Sequence, residues 1–155
     1  MERVESKSSG YSHTQRAPFC LMLYCSALAC IVLSWGLRDE PPIRFVVPPI
    51  SLLVLVLSAS FHLLTVKGQG DRLLISFGPI PLFRRSVRYE DIQGVEIGKT
   101  TILDGWGIHL SLRGGWVWNI WGWDCVVVHL KNGTLRIGTN DAPNLWRFLE
   151  TKIAH

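Results

Sequence analysis

The chain has 155 residues with 16 basic and 12 acidic side chains, a formal charge of +4. That length holds one ordinary domain, or a small domain plus membrane segments. The slight basic excess is spread along the chain, which excludes a nucleic-acid binder, since these gather their cations on one face. Four cysteines with neither a CxxC pair nor a Cys/His ligand spacing exclude a disulfide framework and a zinc site.

Residues 1–16 are polar, rich in Ser and Thr, and lack apolar periodicity, which predicts a disordered tail. Two apolar segments follow. Residues 17–37 give 21 positions, and residues 45–66 give 22, without Asp, Glu, Lys or Arg. At about 1.5 Å per helical residue, each is long enough to cross a ~30 Å hydrocarbon core. Arg38-Asp39-Glu40-Pro41-Pro42-Ile43-Arg44 joins them as a polar turn, so residues 17–66 predict a transmembrane helical hairpin. Ala27-Leu28-Ala29-Cys30 faintly resembles a lipoprotein cleavage site, but Ala27 and Leu28 are in the reverse of the preferred order and the apolar run continues to Leu37. The first segment therefore reads as a retained span. Pro48-Pro49 is expected in the first turn or so of the second helix, where missing amide donors cost little. His62, five residues before Lys67, is expected to pack near the interface. Seven basic residues (Arg3, Lys7, Arg16, Lys67, Arg72, Arg84 and Arg85) flank the outer ends of the pair, against two, Arg38 and Arg44, in the turn. That bias predicts both termini in the cytoplasm.

From Gly68 onward the helical runs give way to alternation. Leu73, Ile75 and Phe77 share one strand face; Phe83, Val87 and Tyr89 share the next, with Arg85 the exception on that side; Val95 and Ile97 mark a third strand. Trp106, Ile108, Leu110 and Leu112 are expected to face inward, with His109, Ser111 and Arg113 outward, which makes Trp106 a core residue. Trp116 and Trp118 have one parity and Trp121 and Trp123 the other, so a bulge or turn is expected near residues 119–121. Val126, Val128 and Leu130 form a further inner face, Asn132-Gly133 predicts a type I′ hairpin, and Leu135 and Ile137 continue on the return strand. Asn140 or Asp141 can then cap a last helix, with Pro143 in its first turn and Leu145, Trp146, Phe148, Leu149 and Ile153 on its apolar face. About seven short strands and one amphipathic helix predict a small α+β domain over residues 67–155.

The stretch Gly105-Trp106-Gly107-Ile108, the strand containing Trp116, Val126-Val127-Val128, Asn132-Gly133, and Ile137-Gly138-Thr139-Asn140-Asp141-Ala142-Pro143 together resemble the bacterial PH-like domains found in small membrane proteins. Ile75-Ser76-Phe77-Gly78-Pro79 and Asp91-Ile92 fit the same pattern, so the resemblance covers roughly residues 70–154. It implies a seven-stranded PH-like barrel or sandwich closed by a C-terminal helix, with paired transmembrane helices as a common companion. It carries over no active site and no cofactor, because this fold is a scaffold with many uses. Eukaryotic PH domains often bind phosphoinositides through basic residues of the first hairpin. Here that hairpin holds Arg72, Arg84, Arg85 and Arg88, but its connecting loop, Gly78-Pro79-Ile80-Pro81-Leu82, is apolar.

No catalytic constellation is visible. His109 and His129 both point outward by parity and could meet only if their strands were neighbours, and a two-imidazole pair is a poor metal site. Asp104 and Asp124 occupy turn-like positions where Asp serves local hydrogen bonding, so they do not read as an acid–base pair. The expected function is therefore non-enzymatic: a small integral membrane protein, multi-pass in the inner or cell membrane. It presents a cytoplasmic interaction or scaffold domain to the lipid bilayer and to protein partners, or to itself through sheet edges. No nucleic acid and no small-molecule substrate enter this reading. The alternative is a membrane-surface sensor that sets Arg84, Arg85 and Arg88 against anionic headgroups.

Overall fold

The first strand lies where the tail was expected. In a computed structural model describing residues 10–37, 39–101 and 105–154, Ser12–Arg16 forms β1 and pairs antiparallel with β2, Leu63–Gln69. Tyr11, His13 and Gln15 face the protein while Ser12, Thr14 and Arg16 face out, an alternation too short and polar to register as a strand. What fixes it is tertiary: Tyr11 stacks on Phe148, and the buried Gln15 amide donates to the Trp121 carbonyl.

Between these strands run α1, Cys20–Gly36, and α2, Pro41–Ser60, packed on each other. α2 starts inside the expected turn, because Pro41 and Pro42 occupy positions whose amides need no partner. Pro48 and Pro49 therefore lie in its middle, not its first turn, and supply no donor to the Arg44 and Phe45 carbonyls. The helix stops at Ser60, and Leu64 and Val66 enter β2, where both are buried. The second apolar segment, expected to run as one span through residue 66, is thus helical only to residue 60. Among the described residues, only α2 is long and apolar enough to cross a membrane; α1 has 17 residues and is shorter.

β3 (Arg72–Gly78) and β4 (Arg84–Arg88) complete a four-stranded sheet in the order β1-β2-β3-β4. A short turn at Tyr89–Asp91 leads to β5 (Ile92–Lys99), β6 (Gly107–Leu110), β7 (Trp116–Asn119), β8 (Asp124–Leu130) and β9 (Gly133–Gly138). These form a second sheet in the order β5-β8-β9-β7-β6. The described residues hold nine strands where about seven were expected, and the expected boundary at residue 67 falls within β2. The second sheet is no simple meander, for β7 runs parallel to β9. Leu73, Ile75 and Phe77 from the first sheet join Val126, Val128, Leu135 and Ile137 from the second in one core. The helix α3, Ala142–Ile153, adds Leu145 and Leu149 to it, and the Trp146 indole N–H donates to the Val95 carbonyl.

Three local expectations turn out otherwise. β6 is an edge strand, and of its expected inner face only Ile108 packs against the core: Leu110 is exposed, as is Leu112 just beyond, and Trp106 is 45% exposed. Trp118, on the interior strand β7, is the buried tryptophan at 7%. The β8–β9 hairpin forms as expected, but its turn residues are Lys131 and Asn132, and Gly133 alone carries the positive φ, so the turn is not type I′. Asp141 stands at the N-cap of α3 without a side-chain bond to the helix amides, because its carboxylate is engaged by Tyr11 and Asn144.

Candidate functional site

The basic strand proposed for lipid contact is β4, one edge of the first sheet. Arg84 and Arg88 point outward and are exposed, whereas Arg85 takes the inward parity, opposite Ile75, and is half-buried. The three arginines do not form one patch. Arg84 lies beside Phe83, Ile108 and Trp116. Arg88 lines a groove of about 330 Å³ between β4 and the β8–β9 turn, together with Arg72, Asp91 and Lys131. Arg85 borders both depressions.

The groove is less positive than its arginines suggest. Arg72 bonds Asp71 at 3.0 Å, Arg88 bonds Glu90 at 2.9 Å, and Lys131 lies 3.6 Å from Asp91. Four cations thus meet three carboxylates, leaving one net charge. The hydrogen bond from Arg72 holds the Asp71 carboxyl below its ordinary range, and that from Arg88 to Glu90 raises the guanidinium. Arg72 and Arg88 are direct cross-strand partners, a like-charge pair tolerated because each has its own acid. Of these four cations only Arg85 has no hydrogen-bonding or acidic partner among the described residues, and desolvation lowers its pKa.

The histidines stay apart. β6 and β8 are separated by β7 and β9, so His109 and His129 do not meet. His129 bonds Glu96 at 3.2 Å, while His109 keeps the expected parity, paired with Val117 on the face away from Ile108 and Trp118, and its Nε2 is buried with no hydrogen-bond partner among the described residues. Asp104 lies outside the described residues, and Asp124 opens β8, where its carbonyl accepts the Thr139 amide. His62 lies just past α2, its carbonyl accepting the Ala17 amide at 3.0 Å and its ring 5.8 Å from Tyr24.

Two groupings escaped sequence reasoning. At the C-terminal helix, the Tyr11 hydroxyl donates to Asp141 at 3.2 Å, and His13 lies 2.6 Å from the Asn140 side chain and 3.8 Å from Asp141. Burial, and then the Asp141 charge, raise the Tyr11 phenol well above its ordinary value. The alternation of Tyr11, His13 and Gln15 was the available signal. Where the domain meets the helices, Phe19 stacks on Trp106 and Trp121, whose rings lie 4.7 Å apart. Buried Asn119 holds this corner: its amide donates to the Gly122 carbonyl at 3.1 Å, and its oxygen accepts the Trp121 amide at 3.2 Å. No family model matches the chain, and neither does any curated protein.

Proposed function

We propose that the protein is a non-catalytic, membrane-anchored interaction module, in which α1 and α2 insert as a hairpin and the two-sheet domain is a PH-like scaffold on the cytoplasmic face of a bacterial cell membrane. The observation that carries this reading is the uncovered apolar surface of the helix pair. Leu28, Val32 and Trp35 on α1, and Phe45, Ile50 and Leu53 on α2, are all exposed, and only 17% of the apolar window of α2 is buried. Water would leave that surface solvated at about 25 cal/mol per Å², whereas a bilayer removes the cost. At 20 residues α2 reaches about 30 Å; the shorter α1 reaches about 25 Å, within what local thinning accommodates. Two sheets closed by a terminal helix support the PH-like reading. The exposed Leu110 and Leu112 beside the free edge of β6 give a surface for a protein partner or a second copy.

Alkaline carbonate washing of membranes containing the full chain tests the anchor: the protein should stay in the pellet, and release into the supernatant would sink the reading. A photo-crosslinking residue at position 112 should yield a discrete protein adduct in native membranes, and labelling of lipid alone would remove the interaction surface. The unpartnered Arg85 keeps the sensor reading second. Native mass spectrometry of the detergent-solubilised chain separates the two: phosphatidylglycerol retained no better than phosphatidylcholine fits the module. Salt-resistant retention of one headgroup, lost in Arg84→Ser/Arg85→Ser/Arg88→Ser, fits the sensor.

A further inference from the structure

The helix pair and the domain enclose a cavity of about 370 Å³, which falls within the ~300–1,000 Å³ range of small-molecule sites. Phe19 and Leu23 of the α1 side, Leu57 and Phe61 of the α2 side, and Trp106 and Ile120 of the domain form most of its wall. Its floor is closed, with Ile120 1% exposed, and its rim is open, with Leu57 40% exposed. The wall offers almost nothing polar. Ser58 also lines it, but its hydroxyl is spent on the Val54 carbonyl at 2.7 Å. Water inside would lack the two to four partners it needs, and a charged or sugar-like ligand would find none.

We propose that this cavity takes one acyl chain of a bilayer phospholipid. The inference rests on the membrane-anchored reading above, and two observations commit it to that occupant. Leu57 at the rim continues through Leu53, Ile50 and Val46, spaced four, three and four residues apart, and all four are exposed. That spacing lays a single apolar stripe along α2, leading from the hydrocarbon core to the cavity mouth. At the mouth, the stacked Trp106, Trp121 and Phe19 supply the aromatic groups that favour headgroup depth, so a chain can enter without its headgroup leaving the interface. The bound lipid would then fix the domain against the helices, since both contribute walls.

The test uses the full chain in vesicles of phosphatidylethanolamine and phosphatidylglycerol, a fraction of whose acyl chains carry a diazirine, with adducts mapped by peptide mass spectrometry after irradiation. Ile120 is diagnostic because it lies on the floor and faces no bulk lipid, while Ile50 and Leu53 report the bilayer itself. We expect adducts at all three. Leu23→Trp at the rim and Ser58→Leu near the floor fill the space by different routes. Each should lower adducts at Ile120 about tenfold, the equivalent of ~1.4 kcal/mol of binding, and leave Ile50 and Leu53 unchanged. Adducts at Ile50 and Leu53 with none at Ile120 would overturn the acyl site and leave the anchor standing. No adducts at any of the three would overturn both, and Ile120 labelling indifferent to both substitutions would overturn the site.

Discussion

Gly138 shows how tightly single positions are set. A Cβ built there would stand 2.1 Å from the Asn119 side-chain oxygen, which already bonds the Trp121 amide. Gly138→Ala must push aside a fully buried, hydrogen-bonded amide, so it should cost about 2 kcal/mol or more, read as a lowered thermal midpoint of the solubilised chain. The tryptophans give a second comparison. Trp118→Ala should cost ~3–5 kcal/mol, and Trp106→Ala only about 1–2, mainly the lost stacking on Trp121. That order reverses the expectation that Trp106 is core. Alternation shows that Trp106 and Ile108 share a face, but whether that face is covered depends on the strand's place in the sheet. The glycine in Ile137-Gly138-Thr139 was visible, but its partner, Asn119, lies 19 residues away on a neighbouring strand. Tyr11 yields a pH prediction with a definite sign. Its folded pKa lies above the ordinary 10.0, so the neutral phenol contributes fully below about pH 10 and loses that contribution as pH rises further. Tyr11→Phe should therefore lose less stability between pH 9 and 11 than the parent chain in parallel melts (~1 unit either side of the phenol pKa).

Among the elements, β1 best tests how the first sheet is held. Gly68 donates to the Tyr11 carbonyl at 2.8 Å, and Ala17 donates to His62 at 3.0 Å. In an antiparallel ladder this puts the amides of His13 and Gln15 toward β2 and that of Thr14 toward solvent. His13→Pro should cost about 1–3 kcal/mol and Thr14→Pro markedly less, a contrast that equal losses in thermal midpoint would erase. The apolar runs made α1 and α2 legible, and the Asn132-Gly133 step and the Leu145/Leu149 spacing marked the last hairpin and α3. What stayed hidden was pairing. A five-residue polar strand carries little signal of its own, and the parallel β7–β9 contact depends on β8 passing along the far side of β9. The arginines were readable, and so were their acids, Asp71 beside Arg72 and Glu90 two residues after Arg88, but no local pattern foretells the pairing of Lys131 with Asp91 across the groove.

At the scale of the whole molecule, β1 and β2 flank the helix pair and belong to one sheet, so the N-terminal strand and the domain must lie on the same side of any membrane the hairpin enters. Reporters fused at residue 40 and after the C-terminus should give opposite readings, with the C-terminal one cytoplasmic; matching readings would exclude two crossings. The same feature sets an order of events during synthesis. β1 leaves the ribosome nearly fifty residues before its partner, because Arg16 pairs with Leu63. At ~5–20 residues per second it waits roughly 2–9 s, unpaired, while both helices are made. Its sheet cannot close until the hairpin has been laid down between the two strands. The domain therefore finishes folding only after both helices have been made and have returned the chain to β1. On the proposed membrane-anchored reading, closure of the first sheet is in this way timed by the making of the anchor.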